Sequence, residues 1–93
     1  SKNLNYYSNI ISQEIQDLED GDGVLIMTDI YGATPCNLLK KFIKKNKVEV
    51  VTGINLPMLI KAISDRKDNL GFLTNDSIEC AKKNIKKIWL IND

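Results

Sequence analysis

The chain has 93 residues, 43% of them hydrophobic and 27% charged, an ordinary balance for a folded soluble domain. That composition excludes a disordered chain, a collagen-like repeat and a disulfide scaffold, and the length suits one compact domain rather than two. Lys and Arg number 13 against 12 Asp and Glu, a net charge of +1 that argues against general nucleic-acid binding. No apolar run approaches the ~20 residues of a membrane span, and the N-terminus lacks the apolar stretch of a secretory signal, so a cytoplasmic location is expected. Cys36 and Cys80 stand far apart and read as reduced thiols. With no histidine and no clustered cysteine, no metal site is expected.

Residues 4–19 are predicted as an amphipathic helix, with Tyr7, Ile11, Ile15 and Leu18 on one stripe that Ile10 widens. Asp17, Glu19, Asp20 and Asp22 gather at its far end, where negative charge opposes the helix dipole, so the helix should fray before the Gly21 turn. Residues 24–28 form a short continuous apolar run, as in a strand of a parallel sheet covered on both faces. The run stops at Asp29 and leads through Gly32 and Ala33 to Thr34, a good helix N-cap, with Pro35 at the first helical position. Leu38, Leu39, Phe42 and Ile43 give this second helix its apolar face, and Lys40, Lys41, Lys44 and Lys45 point outward.

Asn46 closes that helix, and residues 48–52 make the next strand. The same grammar then repeats: Gly53, Ile54, Asn55 and Leu56 lead to Pro57, which opens a helix through Met58, Leu59, Ile60, Ala62 and Ile63. Residues 64–69 read as a polar loop, and a helix over residues 70–84 turns Leu70, Leu73, Ile78 and Ala81 inward. Residues 87–91 read as a terminal strand, with Trp89 expected in core or interface packing. The order is α-β-α-β-α-α-β, an α/β fold whose strands, separated by single helices, form parallel units with right-handed crossovers. Two parallel strands and one terminal strand are a thin sheet for so many helices, and an α/β chain that begins with a helix reads as part of a domain.

Ligands of open parallel sheets bind beyond the carboxyl ends of the strands, where both unusual loops fall. The first puts the Asp29 carboxylate beside small residues at a helix start, and the backbone amides of Gly32, Ala33 and Thr34 there suit an anion such as phosphate. The same residues serve equally well as ordinary capping and turn chemistry. The second loop has the same two readings, with Asn55 as a helix cap and Gly53 as a residue at positive φ. The lysines of residues 40–47 and Lys82, Lys83, Lys86 and Lys87 read as solvated helix faces, and Met58 as core filler. Neither GxGxxG nor a Walker lysine motif occurs, which weighs against a flavodoxin-like nucleotide binder.

Taken together the two loops are more specific than either alone. GDGVLIMTDIYGATPCN followed by VEVVTGINLPMLIKAI resembles the IIA domain of the mannose family of bacterial sugar phosphotransferase systems, most strongly over residues 20–63. That family carries an Asp-x-x-Gly-Gly-Ser/Thr-Pro-x-Asn loop and a Gly-x-Asn-x-Pro-Met-Leu loop separated by a helix and a strand. The resemblance implies a parallel α/β domain with an antiparallel last strand, commonly exchanged between two subunits, and a homodimer built through residues 88–91. It also implies a phosphoryl carrier that needs no cofactor. Such a carrier takes phosphate from the small protein HPr on its own histidine and passes it to a IIB component; only through other components would it meet a membrane permease.

By the same resemblance Asp29 orients the imidazole, Thr34 and the loop amides of Gly32 and Ala33 contact the phosphoryl group, and Asn55 supports the neighbouring loop. Two departures stand out. Ala33 replaces the family's second glycine, and the phosphoacceptor histidine, with the first strand that carries it, is absent from these 93 residues. The expected missing piece is a β-α-β start of roughly 30 or more residues. The alternative is a phosphorylation-incompetent regulatory or interaction module with the same fold.

Overall fold

The structure is a computed structural model that describes residues 2–29 and 33–89, with the side chains of residues 5–29 and 37–89. Six elements follow in chain order: α1 (Lys2–Leu18), β1 (Val24–Met27), α2 (Ala33–Lys40), β2 (Val48–Val51), α3 (Leu56–Ser64) and α4 (Leu70–Lys83). The two strands pair in parallel, Val24 with Val48 through Met27 with Val51, and α2 is the crossover helix that such pairing requires. The result is a mixed α/β chain with a two-stranded parallel sheet and flanking helices.

One face of the sheet is built by side-chain alternation. Leu25 and Met27 on β1 and Val51 on β2 meet Met58 of α3 and Ile78 and Ala81 of α4. Met58 is 2% exposed, which bears out its reading as core. Leu70 and Leu73 are buried as expected, and α4 runs the same way as the strands. Its first residue lies beside Gly23 and Lys47, and Ala81 packs with Val51 at the other end. Asn69 caps α4 by accepting from the Phe72 N–H at 3.2 Å, and α3 and α4 form an antiparallel hairpin over the sheet.

Several expectations shift. α2 opens at Ala33, so Thr34 lies inside the first turn rather than at the cap and Pro35 sits two residues into the helix. The first amides of a helix have no intrahelical acceptor, so Pro35 is tolerated at any position of that turn. α2 also ends early, at Lys40. A turn replaces its last predicted turn, in which the Lys44 and Val48 backbones exchange hydrogen bonds of 3.0 and 2.8 Å, and Ile43 is left exposed. Asn46 takes φ 64° in that turn, the left-handed conformation asparagine tolerates.

The apolar stripe of α1 is the larger departure. Ile11 and Ile15 are half-buried, but Tyr7, Ile10 and Leu18 are exposed. Among the described residues α1 meets the rest of the chain near its C-terminal turn, where Ile15 and Gln16 line a groove with Lys44, Lys47 and Val48. The radius of gyration, 15.8 Å, accordingly exceeds the roughly 13 Å of a compact 100-residue domain. The terminal strand is corrected in part: residues 85–89 carry no strand, Trp89 is 73% exposed and so is not core, and residues 90 and 91 lie outside the described residues. A strand needs a neighbour to complete its hydrogen bonds, and none of the described residues supplies one.

The turn into β1 is organised by Glu19, whose carboxylate accepts the N–H groups of Gly21 and, at 3.0 Å, Gly23. These bonds favour the charged form and lower its pKa from the ordinary 4.5. A carboxyl group depressed on folding adds stability above its unfolded pKa and loses it as pH falls through the folded value. The stability advantage of the wild type over Glu19→Gln should therefore be constant at neutral pH and shrink below pH 4.5 in urea titrations. Two glycines test the backbone. Gly53 (φ +70°) has open space where a Cβ would stand, whereas at Gly23 (φ +94°) a Cβ would lie 2.9 Å from Leu70 Cδ2 and 3.0 Å from the Lys47 carbonyl. Gly53→Ala should cost about 1–2 kcal/mol in chemical unfolding, and Gly23→Ala more, because steric overlap adds to the same strain.

Candidate functional site

Parallel pairing sends both strands toward one edge, where the chain leaves β1 at Thr28 and β2 at Thr52. Asp29 follows β1 in a bend and is exposed. Just before it, the Thr28 N–H donates to the Val51 carbonyl at 2.9 Å, which extends the ladder by one step. The Ile54 N–H then donates to the Thr28 carbonyl at 3.2 Å. The backbone that carries Asp29 is thereby held against the loop that carries Asn55.

Asn55 has extended backbone (φ −138°, ψ 169°) and caps α3: its Oδ1 accepts the Met58 N–H at 3.0 Å, with Pro57 in the first turn. The sequence reading of Asn55 as a cap and of Gly53 at positive φ is borne out. Its amide nitrogen also donates to the Ala81 carbonyl at 3.2 Å, a link across 26 residues that no local pattern discloses.

In chain order α2 begins at Ala33 after β1 and α3 at Leu56 after β2, and the hydrogen bond from Ile54 to Thr28 holds the start of α3 beside the end of β1. Helix N-termini present unpaired amides and the positive end of the dipole, so this edge suits an anion. Ala33 and Thr34 contribute their backbones from the first turn of α2, where amides have no intrahelical acceptor. Gly32 lies outside the described residues, as do the side chains of Ala33 and Thr34.

Other features lie away from this edge or beside it. An apolar hollow of about 440 Å³ runs along β2, floored by Val51, Met58, Ile78 and Ala81, with Lys40 and Lys82 at its rim. Asp65, Asp68 and Asp76 bring carboxylate oxygens within 4.8 Å of one another on the surface, a grouping that the sequence reading missed because Asp76 comes from the next helix. Asp65 is engaged by Lys61 at 3.0 Å, and that hydrogen bond raises the Lys61 pKa above its ordinary value. Cys80 is a free thiol, and the described lysines of the two predicted solvated faces are exposed.

Comparison with known proteins gives this edge a context. A PTS system fructose-specific EIIA component of Bacillus subtilis (strain 168) is 27% identical over 89 residues, covering 86% of this chain and 61% of its own length. The PTS system mannose-specific EIIAB component of Escherichia coli (strain K12) is 28% identical over 78 residues, covering 81% of this chain and 24% of its own. A crystal structure from Klebsiella pneumoniae, described as a phosphoenolpyruvate-dependent sugar phosphotransferase system permease, superposes with a TM-score of 0.70 at 23% identity. It covers 86% of this chain and 59% of that one, and shows that the fold is shared. The chain therefore spans about three fifths or less of the length of the relatives it matches. The family model for the PTS system fructose IIA component matches residues 1–87, taking in both strands, both loops and all four helices, and the chain belongs to that family.

Proposed function

We propose that the chain is the site-bearing part of a phosphoryl carrier of a bacterial sugar phosphotransferase system. In this reading the carrier accepts phosphate from HPr on a histidine absent from these 93 residues and passes it to a IIB component. The observation that carries the reading is the carboxyl edge of the sheet, where a backbone hydrogen bond from Ile54 to Thr28 holds the peptide before Asp29 against the loop that opens α3. Family membership supplies the reaction class.

The roles follow from electrostatics. Phosphoryl transfer asks a protein mainly for positioning and for donors toward the developing charge. The backbone amides of Gly32, Ala33 and Thr34 are the donors in this reading, with the Thr34 hydroxyl as a further one. Asp29, a carboxylate, would repel the phosphoryl group if it touched it. Its place is on the imidazole, whose orientation it fixes and whose cationic form it favours. Asn55 supports the loop from the α3 side. Location in the cytoplasm and the absence of any cofactor belong to the same proposal.

Phosphoenolpyruvate, enzyme I and HPr should add one acid-labile phosphoryl group to the whole gene product, read by intact mass. Asp29→Ala should slow that transfer on the order of 10- to 100-fold while leaving thermal unfolding unchanged. An unaltered rate removes Asp29 from the site.

The alternative is a regulatory or interaction module of the same fold that is not phosphorylated. No mass gain on the whole gene product would establish it over the carrier.

A homodimer through the terminal segment is part of the proposal. Ile85, Ile88 and Trp89 are 74%, 93% and 73% exposed, and the apolar hollow along β2 offers a surface for such a segment from a second copy. Trp89→Ser should shift the light-scattering mass toward the monomer, and an unchanged mass would remove this segment from the interface.

A further inference from the structure

Asn55 joins three parts of the molecule with one side chain. Its Oδ1 accepts from the Met58 N–H and so begins α3. Its Nδ2 reaches the Ala81 carbonyl in the last turn of α4, which also accepts the Asn84 N–H at 3.2 Å and so takes Asn55 on its second lone pair. The next residue back, Ile54, donates its N–H to the Thr28 carbonyl, directly before Asp29. A continuous path of hydrogen bonds thus runs from the end of α4 through Asn55 and Ile54 to the peptide that bears Asp29.

We propose that Asn55 is a positioning residue: by tying the loop after β2 to α4, it fixes the Asp29 carboxylate in place for phosphoryl transfer. The inference rests on the carrier reading above for its consequence, but its structural half stands apart from it. The side chain must accept and donate at once, and an amide is the small group that does both in this geometry. Serine and aspartate are also good N-caps, so either keeps the start of α3. Neither can donate across to Ala81: the serine hydroxyl is too short, and the carboxylate has no proton to offer at neutral pH and faces a carbonyl oxygen. The α3 cap and the bridge to α4 are therefore separable by substitution.

The test compares wild type, Asn55→Ser and Asn55→Asp as whole gene products. Hydrogen exchange by NMR should show the Ile54 amide losing protection at least about fivefold in both variants, with the amides of the β1–β2 ladder unchanged. Transfer from phospho-HPr should fall about tenfold or more in kcat, with KM within twofold and the thermal midpoint nearly that of wild type. Unchanged Ile54 protection overturns the positioning role whatever the activity. An unchanged kcat in variants of an active wild type overturns its link to transfer. If the wild type takes no phosphate, the carrier reading falls, and with it the catalytic consequence, while the exchange data still decide whether Asn55 holds the loop.

Discussion

The parallel pairing of β1 with β2 is the constraint on which the rest depends. Four residues on each strand, in the register Val24 to Val48, point both carboxyl ends the same way. Two backbone bonds then carry the pairing past the strands: Thr28 to Val51 and Ile54 to Thr28. Without that extension Asp29 and Asn55 would belong to two unrelated loops. With it they occupy one edge, and α3 begins there with Asn55 as its cap.

Such a small sheet cannot hold its register alone, since two strands bury little and leave both outer edges unpaired. The α3–α4 hairpin supplies what the described part of the chain has. Met58 and Ala81 close over Val51, and Leu25, Met27 and Ile78 fill around them. The layer is not wholly apolar. Glu49, two residues before Val51, and Ser77, one helical turn before Ala81, each carry a buried side-chain oxygen with no hydrogen-bond partner among the described residues. An unpaired buried oxygen costs about 1–3 kcal/mol, so this level of the α4–β2 contact is weaker than the Val51–Met58–Ala81 level next to the site. The Val51–Met58–Ala81 cluster lies on the side of the layer nearest the loop after β2.

What the sequence discloses follows from which forces are local. The strands at residues 24–28 and 48–52, the helix from about residue 70 and the Asn55 cap are legible, because each is written in adjacent residues: an apolar run between turns, a polar cap three residues before a free amide. The start of α2 lies two residues earlier than expected, at Ala33 rather than Pro35, since Ala33 and Thr34 are both compatible with the first turn. The α1 stripe is visible, but what covers it is not a local property; the same holds for residues 87–91, whose strand reading requires a neighbour. The Asn55–Ala81 and Ile54–Thr28 bonds have no signal at all, because each joins residues that are 26 apart in the chain.

Two kinds of placement meet at the site. The donors proposed for the phosphoryl group are backbone amides at helix starts, set by the fold and insensitive to rotamers. The proposed orienting carboxylate is the opposite case, an exposed side chain in a bend that keeps its position only as well as its own peptide is held. An orienting group acts through angle and distance, and displacement by an ångström is enough to lose most of its effect. The fold meets that demand not by burying Asp29, which would penalise its charge, but by clamping the carbonyl just before it. Charge stays in water, and rigidity comes from the neighbouring loop. In this arrangement the placement of the carboxylate is a property of the loop after β2, so the role proposed for Asp29 depends on the residue that secures that loop.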